Sequence, residues 1–190
     1  MMRSEIHEGL ASRAVHAGWI ARALPDVGDP ELRSALLASE RFSRRIADSI
    51  LGDPVSVEQV EPSVDFCKLV RQLDDDLLVR IGQIWLAPQL APHLIDPKGR
   101  ADLGIEDRII LQSILKYRGH ASMPAVEFTA PPDYPAEGAR CIAAWLEMQA
   151  FPAASRLRLC FEPSLSTDED DANRAALLDA LLSDDGFMAG

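Results

Sequence analysis

Three adjacent carboxylates, Asp74-Asp75-Asp76, are the residues of this sequence best suited to chemistry, because neighbouring acids can bind a divalent cation. Consecutive residues on a helix point in different directions, however, so such a trio does not converge on one ion. The same trio suits a helix start. One Asp accepts from the free backbone N–H groups, and the others sit where the helix dipole favours negative charge. The histidines are scattered: none of His7, His16, His93 and His120 lies four residues from another, and His7-Glu8 lacks the second His of a His-Glu-x-x-His zinc site. Cys67, Cys141 and Cys160 contain no Cys-x-x-Cys pair, so a zinc knuckle or thioredoxin-type motif has no basis; an odd count without a secretion signal fits a reducing compartment. The glycine signatures of phosphate loops and nucleophile elbows are missing. No catalytic residue, cofactor or metal ligand is assigned, and a non-enzyme is expected.

Residues suited to binding a protein partner are easier to find. Asp168, Glu169, Asp170 and Asp171 form an acidic run that could steer a basic partner, or could simply cap and solvate a helix. Leu177, Leu178, Leu181 and Leu182 follow it. They would make an amphipathic peptide for a partner's groove, or pack on the chain's own core. Trp85 and Trp145 lie on apolar helical stripes and read as core, whereas Trp19 has small or polar neighbours and is a candidate interface anchor.

These residues must be held by helices, since Ala, Leu, Arg and Glu abound and alternating β-branched runs are scarce. A first helix is expected over residues 5–24, stopped by Pro25. A second is expected over 30–51, with Asp29 as its cap, Pro30 at its first position, and Gly52 and Pro54 at its end. Pro62 opens a third, with Phe66, Leu69, Val70 and Leu73 on one side. Asp74 or Asp75 starts a fourth through Leu77, Ile81, Ile84 and Trp85, which Pro88 and Pro92 should interrupt. Residues 96–102 read as a turn. Residues 103–118 read as a helix apolar on more than one side, central to the fold. The proline-rich stretch 119–135 reads as a loop, with 125–129 extended. A helix over 136–150 offers Cys141, Ile142, Trp145, Leu146 and Met148 for packing. Residues 156–161 alternate and suit a strand or a last helical turn, and Ser166 with Glu169 makes a capping box before the final leucines. The fold class is all-α (mostly α), an irregular multi-helix bundle with room for one short strand pair. Residues 1–163 are expected to form a single helical domain and 164–190 an acidic C-terminal helix or tail.

The chain of 190 residues has 47% hydrophobic and 26% charged residues, enough to build a core. Its net charge of −11 argues against nucleic acid as a main ligand and against an anionic membrane surface. Residues 162–190 carry most of the excess, with eight acids against Arg174 alone. The first residues lack a signal peptide's apolar core, and no run of about 18 apolar residues exists, so direct membrane insertion is not expected.

Three stretches carry a resemblance: LLVRIGQIWLAPQLAPHL from Leu77, LGIEDRIILQSILKYRG from Leu103, and RCIAAWLEMQAFPAASRLRLCFEP from Arg140. The features are Ile81-Gly82 in a Leu-rich helix, Leu103-Gly104 before a second helix, and Trp145 leading through Pro152 to Arg156, Leu157 and Leu159. In these the chain resembles the K component of type III secretion systems, the SctK/YscK family of cytosolic sorting-platform proteins. The resemblance covers about a third of the chain and implies a bacterial, cytoplasmic adaptor without an active site. Such an adaptor links the cytoplasmic domain of the inner-membrane ring to the pod protein of the sorting platform, and so lies peripherally at the inner membrane through its partners. Two other readings stay open. One is an acidic chaperone or regulatory protein for a basic or amphipathic client; the other is a helical enzyme using Asp74–Asp76 and a metal.

Overall fold

A computed structural model describes residues 15–25, 27–51, 61–105, 108–117, 132–163 and 169–188. Among the described residues there are eleven helices and no strand, which makes the protein all-α. In chain order they are α1 (Ala17–Ala23), α2 (Pro30–Ala38), α3 (Glu40–Leu51), α4 (Val64–Gln72), α5 (Asp75–Leu94), α6 (Pro97–Asp102), α7 (Arg108–Tyr117), α8 (Tyr134–Glu147), α9 (Pro152–Arg158), α10 (Glu169–Leu182) and α11 (Asp185–Met188). The chain divides into two compact units, one of Met1–Arg71 with Leu146–Ser166 and the other of Gln72–Trp145 with Thr167–Gly190. Helices α10 and α11 fall in the same unit as α5, α6, α7 and most of α8.

In the first unit the helix expected over 5–24 is interrupted at Val15 and His16, and α1 begins at Ala17; residues 5–14 lie outside the described residues. The reason is His16. Its backbone is extended, its N–H donates to the Leu159 carbonyl at 2.7 Å, and its Nδ1 accepts from the Gly18 N–H at 3.1 Å. A residue so bonded caps a helix rather than continuing one. The helix expected over 30–51 breaks in two at Ser39, whose φ and ψ of −87° and 105° are extended. Serine favours that cap conformation, and the Phe42 N–H donates to its carbonyl at 3.0 Å, opening α3. The break leaves α3 free to bury Ile46 and Ala47 with Val15, Ile20 and Leu159, while Phe42, Ile50 and Trp19 cover the cluster. Asp29 caps α2 as expected, its Oδ1 accepting from the Glu31 N–H at 2.9 Å. Helix α4 opens one residue after Ser63, whose Oγ accepts from the Phe66 N–H at 3.1 Å. The Phe66 ring stands edge-on to Phe151, with centroids 4.9 Å apart. Residues 156–161 continue from helix α9 and form no strand; residues 125–129 lie outside the described residues.

In the second unit Asp74 caps α5, its Oδ1 accepting from the Leu77 N–H at 2.8 Å. Pro88 and Pro92 do not interrupt this helix, which runs on to Leu94. An interior proline costs about 3 kcal/mol. The two are four residues apart, so their defects fall on one side, while Leu86, Ala87 and Leu90 are buried. Full burial of one large aliphatic side chain contributes about 1.5–3 kcal/mol, the same order as each defect. The expected turn at 96–102 is helix α6, capped by Asp96, whose Oδ2 accepts from the Gly99 N–H at 3.3 Å. Gly104 ends it with φ of 66°, a left-handed conformation that glycine alone adopts without strain. Helix α7 therefore starts at Arg108, later than expected. Helix α8 ends at Glu147, and Met148 beyond it is 68% exposed rather than packed. Cys141, Ile142, Trp145 and Leu146 are buried as expected, and so is Trp85. Leu177, Leu178, Leu181 and Leu182 of α10 are all buried, as are Phe187 and Met188 of α11. Ser166 of the expected capping box lies outside the described residues.

Candidate docking groove

Helix α5 changes character along its length. Its first half carries Leu77, Ile81, Ile84, Trp85 and Leu86, all buried. Its second half places short side chains, Ala87, Pro88 and Ala91, on the stripe that continues to Leu94 and Ile95. Small residues where neighbours are large leave space. The space is an apolar groove of about 410 Å³, lined also by Leu111, Ile114 and Leu115 of α7 and by Arg100 of α6. Leu111, Ile114 and Leu115 stand at i, i+3 and i+4, one helical face.

Two side chains make this groove unusual. Ile95 is 82% exposed and Leu115 is 66% exposed, and both line it. Single exposed apolar residues are ordinary; two large ones on one concave apolar surface are not. Among the described residues of α7 the exposed positions are Gln112, Leu115 and Lys116, one stripe, in line with a helix apolar on more than one side; Leu115 is the aliphatic residue on that stripe. Ile110 and Ile114 are buried, whereas Leu115 faces water.

The groove's walls are fixed by polar contacts. Gln83 Nε2 donates to the Gly104 carbonyl at 3.2 Å and the Tyr134 hydroxyl donates to the Leu103 carbonyl at 3.1 Å, holding the α6–α7 connection against α5 and α8. Burial pushes the Tyr134 hydroxyl up to about 12, so it stays a donor at neutral pH. At the end of α7, Lys116 Nζ and the Tyr117 hydroxyl both donate to Asp184 Oδ2, at 2.6 and 2.8 Å. The hydrogen bond from Lys116 holds the Asp184 carboxyl below its ordinary value, and its partner Lys116 is raised by the same bond. Tyr117 is raised chiefly by burial. At the mouth, Arg100 Nη1 donates to the Leu94 carbonyl at 2.9 Å, satisfying an acceptor that the end of α5 leaves free. Arg100 has no carboxylate partner among the described residues.

The residues singled out from sequence lie elsewhere. Trp19 is half-buried in the first unit. Its Nε1–H donates to the Phe161 carbonyl at 2.8 Å, and the guanidinium carbons of Arg22 and Arg158 lie 5.6 and 5.3 Å from its ring centroid. The acidic run belongs to the second unit. Asp168 lies outside the described residues, Glu169 opens α10, and Asp170 and Asp171 are half-buried. Asp171 Oδ1 accepts from Arg174 Nη1 at 3.0 Å. Of the enzyme-like features, Asp74 is a helix cap, and Asp75 and Asp76 sit exposed in the first turn of α5. His16 caps α1, His93 is exposed near the end of α5, and His7 and His120 lie outside the described residues. No group of three potential metal ligands converges among the described residues. Burial pushes the Cys141 thiol far above its ordinary range, which leaves it protonated and unreactive at neutral pH.

The groove was signalled in the sequence by Ala87-Pro88 and Ala91-Pro92 interrupting a Leu/Ile run, followed by a second helix with aliphatic residues on two sides. No helix of the described residues is long and apolar enough to cross a membrane. No family model, no curated protein and no solved structure matches the chain.

Proposed function

We propose that this protein is a non-enzymatic helical adaptor that docks partner proteins through the groove between α5 and α7. The observation that carries this reading is the joint exposure of Ile95 and Leu115 on one apolar concave surface. Aliphatic surface held open to water by a packed scaffold is the usual form of a helix-binding groove. The resemblance at Ile81-Gly82, Leu103-Gly104 and Trp145–Leu159 supports a more specific role: a cytoplasmic component of a bacterial type III secretion machine, joining the inner-membrane ring's cytoplasmic domain to the pod protein. Most of the groove's lining comes from the stretches that begin at Leu77 and Leu103; Ile95 and Arg100 lie between them. The rival reading of a chaperone using its last helix to hold a client has less support, because the four leucines that would meet the client are buried.

The test is affinity purification of the tagged full-length chain from cells that carry its own genome's secretion machine, followed by mass spectrometry. Ring and pod components enriched over an untagged control are the expected result. Enrichment of a secreted client instead would move the assignment to the chaperone class, and recovery of neither would refute the adaptor role.

A further inference from the structure

The groove lies in a stretch of modest cation excess within an acidic chain. Between Leu77 and Arg118 there are six Lys and Arg against four Asp and Glu, while the whole protein carries −11. From Leu77 to Ile95 there is no acid at all. Of the acids on α6 and its cap, Asp96 is engaged by the Gly99 N–H and Asp102 is exposed. Arg100, the one charged residue lining the groove, and Lys98 on the same helix have no carboxylate partner among the described residues. Among the described residues Arg100 hydrogen-bonds the Leu94 carbonyl through Nη1, and its other guanidinium donors meet no described acceptor.

An apolar trough lined by one guanidinium whose remaining donors meet no described acceptor suits an occupant of complementary charge. From this we infer that the groove takes an acidic amphipathic helix of a partner protein. Its aliphatic stripe lies against Ala91, Ile95, Ile114 and Leu115, and a carboxylate at its flank meets Arg100. This rests on the docking role proposed above and adds the chemistry of the partner. A basic helix of equal hydrophobicity would meet Arg100 and Lys98 with like charge, so the groove selects by sign as well as by shape. Charged side chains at a groove's rim act mainly through encounter rate and register, so the preference should weaken as salt rises.

Two synthetic peptides of about sixteen residues test this, both with leucines at i, i+3, i+4 and i+7, one flanked by Glu and one by Lys. They are titrated by fluorescence anisotropy against the full-length protein and against R100Q, R100K and the double variant I95D/L115D, with circular dichroism confirming that each variant is folded. The Glu-flanked peptide should bind about tenfold more tightly than the Lys-flanked one. R100Q should shrink that ratio to about threefold or less and R100K should keep most of it, while I95D/L115D should abolish binding of both. Equal binding of the two peptides, or a preference that survives R100Q, overturns the acidic-helix inference and leaves the docking role standing. Failure of both peptides also overturns it, with the docking role then judged by the purification described above. If the chain instead sediments as a dimer that I95D/L115D dissociates, the occupant is a second copy and the inference is likewise wrong.

Discussion

Gly82 of α5 lies directly under the Tyr134 backbone of α8, and a Cβ built on Gly82 would overlap the Tyr134 carbonyl oxygen. The relationship is reciprocal. Gly138 of α8 faces Leu78 of α5 in the same way, so the two helices cross antiparallel through a pair of glycines, each four residues from its helix's other contact. Alanine is the better helix former by about 1 kcal/mol, but forcing a methyl into a closed backbone contact costs about 1–3 kcal/mol or more. G82A and G138A should each lower unfolding free energy in urea by about 1–2 kcal/mol. A variant as stable as the parent would show that this crossing is looser than described.

Asp74 separates the capping role of the acidic trio from any ligand role. D74A should cost about 1 kcal/mol, D74N should cost little because Asn caps nearly as well, and D75A or D76A should stay within about 0.5 kcal/mol. Thermal melts of the four variants check this. A D74N variant as damaged as D74A would mean that the charge of the carboxylate matters beyond the cap.

The contacts at Asp184 give stability a pH dependence of definite sign. Its carboxyl is held below the ordinary value, so its contribution is complete above that value and is lost as pH falls through its lowered one. Lys116 is raised, so its contribution is complete below its ordinary value and is lost as alkali passes the raised one. Melting temperature should therefore decline below about pH 4 and in strong alkali, and D184N should be less steep than the parent on the acid side. Identical acid limbs for parent and D184N would rule this contribution out.

In the first unit Arg158 is a buried cation satisfied at every side. It pairs with Glu147 at 2.8 Å, donates to the Glu162 carbonyl at 2.8 Å, and lies over the Trp19 ring. Removing it takes a donor from the Glu162 carbonyl and the charge partner from Glu147, so R158A should cost about 3 kcal/mol. W19F keeps an aromatic face but loses the Nε1–H bond to Phe161 and part of the indole's area, and should cost about 1–2 kcal/mol. Equilibrium denaturation that ranks W19F as the more damaging would contradict this reading of the cluster.

The helices were legible where local chemistry decides them. Asp29-Pro30 and Asp74 are caps because their side chains reach nearby N–H groups, a relation visible within four residues of sequence. The breaks were not legible, one because a long-range bond makes it and the other because the local choice is evenly balanced. His16 is held by Leu159, which is remote in the chain, and Ser39 competes evenly between continuing one helix and starting another. Pro88 and Pro92 misled for the opposite reason: their helix-breaking tendency is real, and burial of Leu86 and Leu90 on the same helix overrides it. The groove was half visible. The aliphatic residues on both sides of α7 stood out, but whether a second apolar face is covered or open depends on what packs there, and residue spacing does not record that.

The proposed docking role is tested most directly by calorimetric titration of the full-length protein into a purified ring domain and pod protein, the partners proposed for it, comparing the parent with I95D/L115D. Both replaced side chains are largely exposed, so the fold should survive with its melting temperature little changed. Losing two aliphatic contacts, each contributing about 1.5 kcal/mol or more when buried, should weaken binding at least about 100-fold. A well-folded double variant that binds both partners as tightly as the parent would contradict the groove's role.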